Sequence, residues 1–115
     1  MKYTLFLYSD ETAFGAMSQE QMQQAQSAYM AYTQALQDAG VFVVTDWLQP
    51  TLTGTTMTLR DGKRRVQDGP YATTKEQLGG YYVIDVQNLD AALQWAERCP
   101  AVHYGFIEIR PSAMG

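Results

Sequence analysis

The sequence predicts an α+β fold of the ferredoxin-like kind, a βαββαβ sandwich with an inserted β-hairpin. Three observations carry this. Four segments, 2–8, 41–48, 81–86 and 103–110, are dense in β-branched and aromatic residues, as strands are. Two others, 19–39 and 89–98, repeat apolar residues at spacings of three and four, as amphipathic helices do. Between the second and third strands, Asp61-Gly62 joins two short polar-alternating runs, the signature of a tight hairpin. The order is then strand, helix, strand, hairpin, strand, helix, strand.

The first strand runs from Lys2 to Tyr8, with Tyr3, Leu5 and Leu7 on one face and Thr4, Phe6 and Tyr8 on the other. The polar segment Ser9 to Ala16, which carries Asp10, Glu11 and Phe14, reads as a loop. Ser18 with Gln21 is a helix start signal. The helix it opens carries Met22, Ala25, Tyr29, Tyr32, Leu36 and Ala39 on one side and glutamines on the other. Gly40 is placed to end it. Val41 to Leu48 is the second strand, closed by Pro50. Thr55 to Arg60 and Lys63 to Gln67 form the half-exposed hairpin. Tyr81 to Val86 is the third strand. Asn88 caps the second helix, whose buried side holds Leu89, Ala92, Leu93 and Ala96. Pro100 stops that helix, and His103 to Arg110 is the last strand. Residues 111–115 read as a frayed tail.

Two helices cover one face of a sheet, yet the strands at 2–8, 41–48 and 81–86 are apolar on both. A second copy of the chain is the cheapest cover for the other face. The sequence therefore predicts a homodimer whose sheets meet face to face. Such a pairing would enclose a partly apolar, tyrosine-lined cavity suited to a small molecule.

Bulk properties narrow the function classes. The chain has 115 residues, which fits one domain spanning 1–115. Its net charge is −4, which argues against nucleic acid as a partner, because phosphate binding needs a positive footprint. The one basic cluster, Arg60, Lys63, Arg64 and Arg65, sits at the hairpin tip and reads first as a solvated face. With a single cysteine, Cys99, and a single histidine, no disulfide and no Cys/His metal site is expected. No run approaches the roughly 20 apolar residues of a spanning helix. Nothing resembles a signal peptide, so a cytoplasmic protein without a membrane is expected. No phosphate loop, nucleophile elbow or zinc motif is present, and no cofactor is expected.

One stretch concentrates ionisable and turn-forming residues: Asp68-Gly69-Pro70-Tyr71, continuing through Lys75-Glu76-Gln77-Leu78 to Gly79-Gly80. Asp-Gly-Pro is a turn signal. Thr73 with Glu76, or Thr74 with Gln77, is spaced as a capping box and predicts a short helical turn whose N-terminus would suit an anion. Asp68 is a candidate general base if buried, or a carboxylate bonded within its own turn. Lys75 is a candidate for binding an anionic substrate and Glu76 for holding it or acting as an acid, or the pair is a solvated lysine and a capping glutamate. His103 is a candidate acid–base group near neutral pH, or a satisfied strand histidine. Tyr8, Tyr71, Tyr81 and Tyr82 offer phenols to orient a substrate oxygen, or simply pack.

Lys2-Tyr3 entering an apolar strand, Ala39-Gly40-Val41, Asp68-Gly69-Pro70-Tyr71, Lys75 through Tyr82, and Tyr104-Gly105 through Pro111 together resemble the YCII-related proteins of the DGPF-domain subgroup. Tyr71 stands where that motif has Phe. The resemblance covers almost the whole chain. It implies a dimeric α+β barrel and no settled activity. In the wider group it implies a His and Asp pair in the cavity of possible enzymes, and an association of some members with sigma factors. Two functions are therefore expected as alternatives. One is a cofactor-free enzyme in which Asp68 or His103 moves a proton on a small polar or aromatic metabolite. The other is a non-catalytic ligand-binding or regulatory module acting through a partner protein.

Overall fold

The computed structural model describes all 115 residues. Its elements are β1 (Lys2–Ser9), α1 (Glu11–Gly15), α2 (Gln19–Asp38), β2 (Phe42–Trp47), β3 (Thr55–Arg60), β4 (Lys63–Asp68), β5 (Gln77–Asp85), α3 (Leu89–Arg98) and β6 (Phe106–Pro111). Short 3₁₀ turns occupy Thr51–Thr53 and Pro100–His103. The main sheet has the order β2-β5-β1-β6 with every pair antiparallel, and β3 and β4 form a separate two-stranded sheet. Setting the hairpin aside, the strand order is second, third, first, fourth, the ferredoxin-like arrangement.

Local chemistry starts and stops the elements. The Ser18 Oγ accepts from the Gln21 N–H at 3.1 Å, while the Gln21 Oε1 accepts from the Ser18 N–H at 2.9 Å, a reciprocal capping box on α2. Asn88 Oδ1 accepts from the Ala91 N–H at 3.0 Å and opens α3. Asp61 and Gly62 both take positive φ, 53° and 74°, the geometry of a type I′ hairpin turn.

The core lies on one face of the main sheet. Tyr3, Leu5 and Leu7 of β1 and Tyr82 and Ile84 of β5 pack with Tyr29, Tyr32 and Leu36 of α2 and with Ala92 and Ala96 of α3. Both helices therefore cover this face. The tyrosine stripe is core, and its phenols are satisfied. Tyr32 donates to the Trp95 carbonyl at 2.8 Å and packs edge-on against Tyr82, whose own hydroxyl lies 2.8 Å from that of Thr33. The alternate parity, read from the strand register, puts Phe6, Tyr81, Val83, Val44 and Phe106 on the other face, which has no helix.

Several local expectations are corrected. Segment 9–16 is not all loop: Asp10 caps α1 by accepting from the Thr12 N–H at 2.9 Å. No helical turn follows Asp68-Gly69-Pro70-Tyr71. The Thr74 hydroxyl instead donates to the Glu76 carbonyl, and the Gln77 amide donates to the Thr74 carbonyl, so these side chains close a non-helical bend. β5 begins at Gln77 rather than at Tyr81. Leu89 and Leu93 of α3 are half exposed, because the small Ala92 and Ala96 are what face the sheet. His103 lies in the 3₁₀ turn before β6, since Pro100 starts that turn and delays the strand. Pro111 pairs with Tyr3, and the Ser112 N–H donates to the Lys2 carbonyl at 2.9 Å, so the ladder continues past Arg110.

Candidate functional site: a cavity at the end of the sheet

A cavity of about 480 Å³ opens between α2 and the end of the main sheet where β1 finishes and β5 begins. Its walls are mostly apolar. Leu7 and Trp47 come from strands, Met22 and Ala25 from α2, and Phe14 from α1. Strand irregularity makes room for it. A bulge between Leu7 and Tyr8 shifts the pairing of β1 with β5, so that Leu7 faces Gly80 and Tyr8 faces Leu78. Gly80 and Gly105 allow backbones to approach closely. A Cβ on Gly105 would stand 2.0 Å from the Tyr8 carbonyl oxygen, and one on Gly80 would stand 2.8 Å from that of Asp46.

Two tyrosines meet in the wall, Tyr29 buried and Tyr104 partly open to solvent. The hydroxyls of Tyr29, on α2, and Tyr104, just before β6, hydrogen-bond to each other. The Tyr29 ring packs edge-on against Trp47, with centroids 5.1 Å apart, and the Tyr104 ring packs edge-on against Phe14, at 5.5 Å. Burial pushes both phenols above the ordinary tyrosine range, so both stay protonated and able to donate.

The mouth is tied by a polar clasp. The Glu11 carboxylate accepts from the Thr51 N–H at 2.8 Å and from the Thr51 hydroxyl at 2.9 Å. The Glu11 N–H donates to Gln77 Oε1 at 2.9 Å. These bonds pin α1 to the turn after β2 and to the start of β5. Two hydrogen bonds from Thr12 hold the Asp10 carboxyl below its usual range. Glu11 is the one charged residue in the wall, and Thr51 already engages both of its oxygens.

The residues singled out in the sequence are dispersed. Tyr8 lines this cavity. Tyr82 is buried in the core and reaches a shallower, more open depression of about 390 Å³ between α2 and β2, which also includes Thr33 and Thr45. Asp68, at the end of β4, is exposed, and its carboxylate makes no hydrogen bond within the chain. Tyr71 and Lys75 are exposed, Glu76 is partly covered, and His103 is exposed. Asp68, Tyr71, Lys75, Glu76 and His103 stand outside both depressions. The two phenols that face each other in the cavity, Tyr29 and Tyr104, belonged in the sequence to a helix stripe and to a strand start. Nothing local links two positions 75 residues apart. The aromatic Phe14, isolated in a polar segment, was the one available signal that something there needed covering. No group of three or more His, Cys, Asp and Glu side chains gathers to hold a metal, and no helix is long and apolar enough to cross a membrane.

Fold and cavity define a class: an antiparallel ferredoxin-like α+β protein with an apolar, tyrosine-walled chamber at one end of its sheet. The YCII-related domain model matches residues 1–112, and the chain belongs to that family. It is also similar to an uncharacterised protein of Rhizobium meliloti (strain 1021), with 34% identity over 116 residues that cover 99% of this chain and 94% of the relative.

Proposed function

We propose that this YCII-family chain is a small-molecule-binding module that works as a homodimer, with one ligand held in the cavity of each chain. The observation that carries the reading is the cavity itself. It has the size and mainly apolar lining of ligand sites, with a few polar groups placed to orient a guest. The lining holds no lysine or arginine, and its sole carboxylate is engaged. The ligand is therefore a compact, uncharged, largely aromatic molecule with an acceptor oxygen. Tyr29 and Tyr104 donate to that oxygen by giving up their mutual bond. Asp68 and His103 lie outside this wall, which favours binding over proton transfer by that pair. Pairing of two copies is supported by the helix-free face with its apolar residues Phe6, Val44, Tyr81, Val83 and Phe106.

The test is a thermal-shift screen with neutral aromatic carbonyl compounds and phenols, set against charged analogues. A ligand at 100 times its Kd adds about 2.7 kcal/mol, a rise of several degrees in Tm. The expected result is a hit that is not consumed, is weakened in Tyr104→Phe and is lost in Ala25→Phe, which fills the chamber. A hit that survives Ala25→Phe would overturn the site, and turnover of the hit would replace binding by catalysis. Light scattering should return about twice 12.9 kDa.

A further inference from the structure

The β3–β4 hairpin is an arm. Its two strands pair with each other and with no strand of the main sheet. Every residue along them is exposed except the half-covered Thr56 and Thr58. The chain measures 47 × 41 × 19 Å, and its radius of gyration of 16.1 Å exceeds the roughly 13 Å of a compact domain of this length. Its base is closed by hydrogen bonds within the arm itself. The Gly69 N–H donates to the Gly54 carbonyl at 2.8 Å, the Thr56 hydroxyl donates to the Gly69 carbonyl at 2.9 Å, and Gly69 is buried.

One face of this arm is unsuited to water. The register places Met57 opposite Val66 and Leu59 opposite Arg64, all on one face. Met57, Leu59 and Val66 are 60%, 61% and 58% exposed. An isolated two-stranded hairpin is marginal in water and needs something packed on its apolar face. Charge indicates what. Residues 55–68 carry four cations and two carboxylates, whereas the rest of the chain carries four cations and ten carboxylates. A basic arm on an acidic body is complementary to the body of another copy. On the helix-free face, the edge strand β2 presents Asp46, an exposed carboxylate without an ion pair.

We propose that the hairpin clamps a second copy of this chain. Met57, Leu59 and Val66 cover apolar surface at the rim of that copy's helix-free face, and Arg64 meets its Asp46. The inference rests on the dimer reading above and adds to it the segment that grips and the charge that aligns it.

The experiment is sedimentation of the full chain and four variants across a concentration range. Arg64→Glu and Asp46→Lys should each weaken the dimer by about tenfold, and the double variant should recover it. The wild-type dimer should loosen as salt rises. In the fourth variant, residues 56–67 are replaced by Asn-Gly, which keeps Thr55 opposite Asp68 across a two-residue turn. That variant should be largely monomeric while retaining its helical circular dichroism. An armless variant that dimerises as tightly as wild type would overturn the clamp and leave the dimer standing. A monomeric wild type would overturn both. Single-charge variants that weaken the dimer without rescue in the double variant would overturn the Arg64–Asp46 pairing. Binding of the wild-type arm to a duplex oligonucleotide, in place of self-association, would assign the arm to another partner and overturn the proposal.

Discussion

The two faces of the main sheet are built from the same strands and differ in almost everything else. On the helix side, Tyr3, Leu5, Leu7, Tyr82 and Ile84 are buried beneath α2 and α3. On the other side, the neighbours of those residues in sequence, Thr4, Phe6, Tyr81 and Val83, are only partly covered, and Phe106 is 63% exposed. The apolar content of β1 and β5 is thus used once within the chain and offered once outside it. Burial follows from what lies opposite a side chain, and hydrophobicity alone does not supply it.

Adjacent residues of β1 give the sharpest test of this contrast. Leu5→Ala removes a fully buried side chain from the helix side and should cost about 2–5 kcal/mol at any protein concentration, read by chemical denaturation. Phe6→Ala, one residue later on the open side, should cost much less within the chain and lower Tm chiefly where copies are concentrated enough to pair. Equal, concentration-independent losses would erase the distinction between the faces.

High pH should separate the faces again, with a smaller effect. Burial pushes the Cys99 thiol up to about 11 and raises Tyr29 and Tyr32 as well, all on the helix side. The unfolded chain loses the thiol proton near 9 while the folded chain keeps it. Stability is therefore fully present below pH 9 and is lost as pH rises through 11, by on the order of 2 kcal/mol for the thiol. Cys99→Ala should flatten the first part of that decline in urea midpoints measured from pH 8 to 11.

What could be read from the sequence was what is decided locally. Ser18 with Gln21, Asn88 with Ala91, and Asp61-Gly62 each settle their own few residues, and each stands where the pattern puts it. The ferredoxin-like order followed, because it needs only the succession of elements. A five-residue helix such as α1 has no room for an apolar stripe and left no periodic trace. Thr74 and Gln77 have capping spacing, but their side chains bond to carbonyls of the bend instead. The chamber was illegible for a deeper reason. Tyr29, Tyr104, Trp47 and Phe14 come from four separate segments, and only tertiary packing brings them together. Tyr8 was reachable because it sits at a strand end, where side chains border whatever the loops enclose.

A single chain already forms the chamber, with α1, α2, β1, β2 and β5 all contributing to its wall. If copies pair as proposed, each carries a chamber of its own. Saturation should follow a plain hyperbola with a Hill coefficient of one and a stoichiometry of one guest per polypeptide. That curve should not move when the protein is diluted until the copies part.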